Sequence, residues 1–180
     1  LRFRCARRRP GGRIGHAGIG RRPESAAVQA GGLIRRLWRE DVMSRVIYEN
    51  PAGAAPAQGL YSHAARVSAG DLLFVAGQLA VAADGSVVGK NDFGAQFHRV
   101  FENLGDVLDG LGAGWNDIAK FTTYMVHSQD LEQFMALRAE VFPKLFGSDV
   151  FPPNTLLMVD RLVKEEFLFE VEAVVAVPKE

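Results

Sequence analysis

The chain has 180 residues, 48% of them hydrophobic and 23% charged, which suits one soluble globular domain with a substantial core and is short for two. No apolar run approaches the roughly 20 residues needed to span a bilayer, and with a single cysteine, Cys5, the rest of the chain can form neither a disulfide nor a thiolate metal site. The zero net charge hides an asymmetry: residues 1–42 hold 11 of the 21 basic residues, all arginine, and 3 of the 21 acids, an excess of +8 that residues 43–180 balance with −8.

Residues 1–42 combine Arg7-Arg8-Arg9, Arg21-Arg22 and Arg35-Arg36 with seven glycines and no sustained apolar period. Such a segment buries too little to offset the entropy of ordering it, so disorder is expected. Three readings compete: an arm for nucleic acid or membrane, an organellar transit peptide, or upstream sequence foreign to the natural product. The change of composition at Met43, just before the first strand-like run, favours the third.

From Met43 onward, residues 45–49 read as a short strand. Pro51, Gly53, Pro56 and Gly59 then break regular structure up to Leu60-Tyr61-Ser62-His63. Residues 65–68 and 72–80, either side of Ala69-Gly70, read as a hairpin, and Asp84-Gly85 marks another turn. Apolar steps of three and four from Phe93 through Phe97, Val100, Phe101, Leu104 and Leu108 to Leu111 predict an amphipathic helix. Asn91 or Asp92 would cap its start and Gly112 or Gly114 would close it. His98, Arg99, Glu102 and Asp106 fall off that stripe, on a solvated face. Residues 118–126 are rich in β-branched and aromatic side chains and read as a strand. A second helix spans about 130–146, with Leu131, Phe134, Met135, Phe142 and Leu145 on one face, Ser128 as a cap and Pro143 to kink or end it. Residues 151–159 and 167–177 complete the strands.

The order β-β-β-α-β-α-β-β predicts an α+β domain over residues 43–180: one six-stranded mixed sheet, a split β-α-β core and two helices on one face. Nothing is left in the chain to cover the other face, which points to self-association. In the last strand Phe167, Phe169, Val171, Ala173, Val175 and Val177 share one wholly apolar face. Leu168, Glu170, Glu172, Val174 and Ala176 share the other. Glu170 reads as an ordinary solvated residue. Glu172 lies nearer the middle of the run, where partial burial tunes an acid for proton transfer. His63, His98 and His127 lack metal-ligand spacing, and no phosphate loop or nucleophile triad is visible.

Several stretches in order resemble the Rid family of reactive-intermediate deaminases, also called YjgF-like. They are Tyr61-Ser62-His63-Ala64, Leu73-Phe74-Val75-Ala76-Gly77-Gln78, Asn103-Leu104, Ile118-Ala119-Lys120-Phe121-Thr122-Thr123-Tyr124, Phe151-Pro152 and Glu170-Val171-Glu172-Ala173. The resemblance runs from about Met43 to the C-terminus. It implies a cytoplasmic homotrimer whose sheets form a central barrel. Three inter-subunit clefts would hydrolyse small enamines and imines to carbonyl compounds and ammonia without cofactor or metal. It further implies Glu172 as the catalytic acid-base group, with Tyr61, Gly77, Asn154 and Arg138 at the substrate.

Asn154 stands where the family has an arginine for the substrate carboxylate, which points away from 2-aminoacrylate as substrate. Ala76 and Leu156 replace a common serine and cysteine, and Arg138, where asparagine is frequent, would bring positive charge from another direction. The alternative is a trimer that binds a small imine, enamine or keto acid and has lost the hydrolysis. Nucleic acid is disfavoured as a partner because phosphate contacts need lysine and arginine, and residues 43–180 are acidic; no membrane partner is expected. Because the arginine-rich segment has no apolar face to dock, a chain beginning at Met43 should melt as cooperatively, and at the same temperature, as the full chain. A large fall in melting temperature would refute that.

Overall fold

The computed structural model describes residues 45–178, and the expectations for residues 1–42 and Met43 lie outside them. Six strands and two helices follow in the expected order: β1 (Val46–Glu49), β2 (Ala64–Val67), β3 (Asp71–Gln78), α1 (Phe93–Gly110), β4 (Ile118–Met125), α2 (Leu131–Phe146), β5 (Asn154–Met158) and β6 (Phe169–Val177). The strands do not form the single six-stranded sheet expected. β3-β6-β4-β5 make a four-stranded sheet, and β1 and β2 pair as a separate antiparallel ribbon. The expected β2–β3 hairpin is therefore absent. Gly70, at φ +110°, turns the chain out of the ribbon and into β3, whose partner is β6 through Asp71↔Val177 and Leu73↔Val175.

β6 lies between β3 and β4, antiparallel to both, while β5 runs parallel to β4 after the α2 crossover. The helices cover the face carrying Phe169, Val171, Ala173 and Val175, all buried. The Phe169 ring lies 5.5 Å from Phe93, 5.5 Å from Phe97, 6.0 Å from Phe101 and 5.7 Å from Phe134. Aromatic contacts at these spacings add to what their buried area contributes.

α1 follows its predicted stripe. The Asp92 side chain accepts the Ala95 N–H at 3.0 Å, and Gly112 closes the helix at φ +68°. Gln96, unforeseen, is fully buried on the same helix, where its oxygen accepts the Leu168 N–H at 2.8 Å and its amide donates to the Glu166 carbonyl at 2.7 Å, holding the entry to β6. In α2 the buried residues are Phe134, Arg138, Phe142 and Phe146, a strict i+4 series, whereas Leu131, expected on that stripe, is exposed. Pro143 neither ends the helix nor stands at its last residue: α2 runs on to Phe146 and stops at left-handed Gly147, whose N–H reaches the Pro143 carbonyl. Ser128 belongs to a 3₁₀ turn and does not cap α2.

The other sheet face is not wholly bare either. The β1–β2 ribbon folds back over one end of it, where Val46 packs with Ala119 and Ala176 among Tyr48, Ala65, Val67 and Val174, and the Tyr48 hydroxyl donates to the Ile118 carbonyl at 2.8 Å. What stays open is the middle and far end, carrying Phe74, Thr122, Tyr124, Glu170, Glu172 and Leu157.

The crossing at Gly70 is the tightest backbone approach in this arrangement, since a Cβ there would lie 2.1 Å from the Val177 carbonyl oxygen. Gly70→Ala should lose roughly 2–4 kcal/mol in urea unfolding from strain and overlap together. Gly53→Ala, also at positive φ but facing open space, should lose about 1 kcal/mol. Equal losses would show that the β2–β3 crossing is not tight.

Candidate functional site

The residues singled out from sequence fall into two groups, one on each side of the sheet. The first is built by α2, the loop before β2 and the start of β5. Arg138 takes the place of an apolar residue in the i+4 series of α2 and is only 3% exposed. Its guanidinium lies 5.2 Å from the Phe134 ring centroid and 4.4 Å from that of Phe142, both attractive cation–π placements. One terminal nitrogen donates to the Leu60 carbonyl, while Nε is buried without a hydrogen-bond partner. Burial pulls the group down to about 10, so it remains a cation at neutral pH, and no carboxylate among the described residues pairs with it.

The carbonyl that Arg138 holds belongs to the residue before Tyr61. Tyr61 is half-buried, its ring edge-on to His63 at 6.0 Å and its hydroxyl accepting the Gln58 N–H at 3.3 Å. The next residue, Ser62, donates its N–H to the Phe151 carbonyl at 3.0 Å, and the Phe151 ring packs 5.7 Å from Phe142. Arg138 and Tyr61 are thus brought together at the entrance to β5. Asn154 opens β5 on this helix-side face, where its Oδ1 accepts the Thr123 hydroxyl at 2.8 Å.

The second group is on the open face, at the junction of β3, β6 and β4. Register sets Glu172 opposite Thr122 and Glu170 opposite Tyr124, so all four share that face. Gly77 lies directly under the Glu170 carboxylate: a Cβ at 77 would be 1.7 Å from Oε1 and 2.6 Å from Cδ. Gly77 therefore serves first as space for a side chain. Burial, and then the neighbouring Glu172 charge, raise Glu170 above the usual carboxylate range. Tyr124 is likewise raised, by desolvation first, then by the Glu172 charge and a hydrogen bond to that carboxylate.

The two glutamates and Tyr124 open onto a cleft of about 570 Å³ completed by Val159, Arg161, Leu162 and Val163. Arg161 is exposed, with Nε 3.4 Å from the Leu162 carbonyl and a terminal nitrogen 3.9 Å from Glu165. It puts a guanidinium on the rim of the carboxylate cleft. Neither Arg161 nor Tyr124 was singled out from sequence. Tyr124 was legible as the third residue of the outward series Lys120, Thr122, Tyr124, but Arg161 sits in an irregular segment where no period predicts direction. The arrangement can hold a proton at Glu170, polarise a water between Glu172 and Tyr124, and meet an anionic group with Arg161. Among the described residues no cluster of three or more histidine, cysteine, aspartate or glutamate side chains could hold a metal ion, and no helix is long and apolar enough to cross a membrane.

Comparison with known proteins agrees with this architecture. The family model described as Endoribonuclease L-PSP matches residues 52–177. A RutC family protein of Pyrococcus abyssi is 36% identical over 116 residues, covering 64% of this chain and 85% of the relative. A RutC family protein of Synechocystis is 30% identical over 137 residues, covering 76% of this chain and 99% of the relative. Among solved structures, the Rid-family protein YyfB of Yersinia pestis superposes with a TM-score of 0.66 at 31% identity, covering 74% of this chain and 99% of that one. The chain belongs to the Endoribonuclease L-PSP family, whose members also carry the names Rid, RutC and YjgF.

Proposed function

We propose that the protein hydrolyses small reactive enamines or imines to carbonyl compounds and ammonia, in clefts that a neighbouring copy completes. The observation that carries this reading is the pair Glu170 and Glu172, half-buried side by side with Tyr124 at the mouth of a cleft. A hydrolase of C=N bonds needs a group that takes a proton from water as it attacks carbon, and a partly desolvated carboxylate within reach of a phenol suits that task. Glu172 has this role, with Tyr124 holding it in place.

The other half of the site is Arg138, Tyr61 and Asn154, which lie across the sheet from Glu172 in the same chain. In a homotrimer the two halves would come from adjacent copies. Support for assembly comes from the open face, where Phe74 is 79% exposed, Leu72 48% and Leu157 43%, an apolar stretch of the kind that marks an interface. Arg138 supplies the positive charge for a substrate carboxylate: it is already desolvated, and its Nε has no partner to lose. The name of the matching family model mentions an endoribonuclease, but the excess of −8 over residues 43–180 opposes binding of a polyphosphate chain. The small-molecule reading is therefore preferred.

Glu172→Gln should retain keto-acid binding and lose ammonia release by at least about 10²-fold. Arg138→Met should lose pyruvate binding yet melt at or above the wild-type temperature, because relief of a desolvated charge offsets the orphaned Leu60 carbonyl. Ammonia release assayed on imines generated in situ, together with thermal shifts by pyruvate, separates the two. A wild type that binds pyruvate and releases no ammonia from any imine in the panel would leave the trimer as a binding protein.

Assembly has its own test. Light scattering at micromolar concentration should give three times the chain mass for the wild type and a smaller species for Phe74→Asp, which places a charge on the apolar face. A monomeric wild type would remove the inter-copy cleft.

A further inference from the structure

We infer that Glu170 is a second catalytic residue, the donor that protonates enamine carbon, while Glu172 is the base for water. This rests on the hydrolase reading above and assigns chemistry to a residue whose sequence context suggested only a solvated strand position. Three observations carry it. Both carboxylates point from one face of β6 into one cleft. The Glu170 side chain is laid against the β3 backbone, over the Cα of Gly77, where any larger residue would collide with its Cγ, Cδ and Oε1 at 2.9, 2.6 and 1.7 Å. Finally, no lysine or arginine among the described residues forms an ion pair with either carboxylate.

The titratable and charged groups facing Glu170 are Glu172 on its own strand, Tyr124 on β4 and Arg161 after β5, and the adjoining residues of β3 are Ala76, Gly77 and Gln78. Of the two carboxyls in this cleft, Glu170 is the one raised above the usual carboxylate range, by burial first and then by the neighbouring Glu172 charge, which favours holding a proton there.

The steps balance. The Glu170 carboxylic acid gives its proton to the β-carbon of the enamine while the nitrogen lone pair forms C=N⁺, leaving an iminium and a Glu170 carboxylate. Water adds to the iminium carbon and passes a proton to Glu172, forming a carbinolamine. Glu172 returns that proton to nitrogen, the C–N bond breaks as the oxygen lone pair forms C=O, and ammonia leaves. The remaining hydroxyl proton restores Glu170. The sum is enamine plus water to carbonyl compound plus ammonia.

Only enamines need a proton at carbon, so the substrate form separates the two glutamates. Glu170→Gln should slow ammonia release from enamines by about 10²-fold and slow preformed imines far less, since they lose only the acceptor of the last hydroxyl proton. Glu172→Gln should slow both. In D2O the wild type should place deuterium on one face of the β-carbon of a β-substituted enamine, and Glu170→Gln should give both faces equally, as protonation from bulk solvent does. Gly77→Ala, which must push the Glu170 carboxylate aside, should reproduce the loss on enamines.

Folding gives an independent check. A carboxyl raised in the folded state contributes stability that is complete below the ordinary carboxylate range and is lost as pH rises through the raised value. Glu170→Gln should therefore melt at or above the wild-type temperature at neutral pH, and that difference should shrink in acid. Turnover by the wild type, with Glu170→Gln slowing enamines and imines alike or keeping facial selectivity, would overturn the assignment of Glu170 and leave the hydrolase reading standing. No turnover of either substrate form by the wild type would overturn both.

Discussion

Everything at the candidate site depends on the register of β6. Because successive side chains point to opposite faces, seating Phe169 among the rings of Phe93, Phe97, Phe101 and Phe134 leaves Glu170 and Glu172 no choice but the open face. A slip of one residue would put two carboxylates into an aromatic core and expose Phe169, Val171 and Val175 together, a penalty far larger than the few kcal/mol by which domains are stable. The aromatic core is thus also what aims the acids. Pairing on both edges of β6, with β3 and with β4, then sets what the acids meet: Gly77 on one side, Thr122 and Tyr124 on the other.

The two sides of the sheet handle charge in opposite ways. On the helix side a guanidinium is dried out, stacked over two phenylalanine rings and given a single backbone carbonyl. On the open side two carboxylates remain half-wet and crowd each other. Each arrangement is unfavourable alone, and each would be relieved by a ligand group of opposite charge. Binding groups held out of their own best electrostatic environment are common where sites trade stability for chemistry.

Most of the element order was legible, because the 3.6-residue period of α1 and the alternation of β6 are long and strong enough to overcome local ambiguity. Pairing was not. Residues 65–68 and 72–80 look like a hairpin by length and turn signal, yet Gly70 redirects the chain, and nothing in a period-2 pattern records which partner a strand takes. The faces of β6 were readable, but the relative worth of its two acids was not, since that depends on Gly77, which reaches Glu170 only through the β3–β6 register. Arg138 was legible as a positive charge but not as a buried one. Its spacing of four from both Phe134 and Phe142 carries that signal, an arginine set into an apolar stripe.

The position of Arg138 makes it an informative site for laboratory evolution. Methionine or leucine there would finish an aromatic and aliphatic stripe that is otherwise continuous from Phe134 to Phe146, and neither would need a proton or a counter-ion. A library selected for heat resistance alone should therefore drift away from arginine at 138 early. One selected for heat resistance together with binding of the proposed keto-acid ligand should keep it, so the residue recovered there would report which of the two pressures the population had felt.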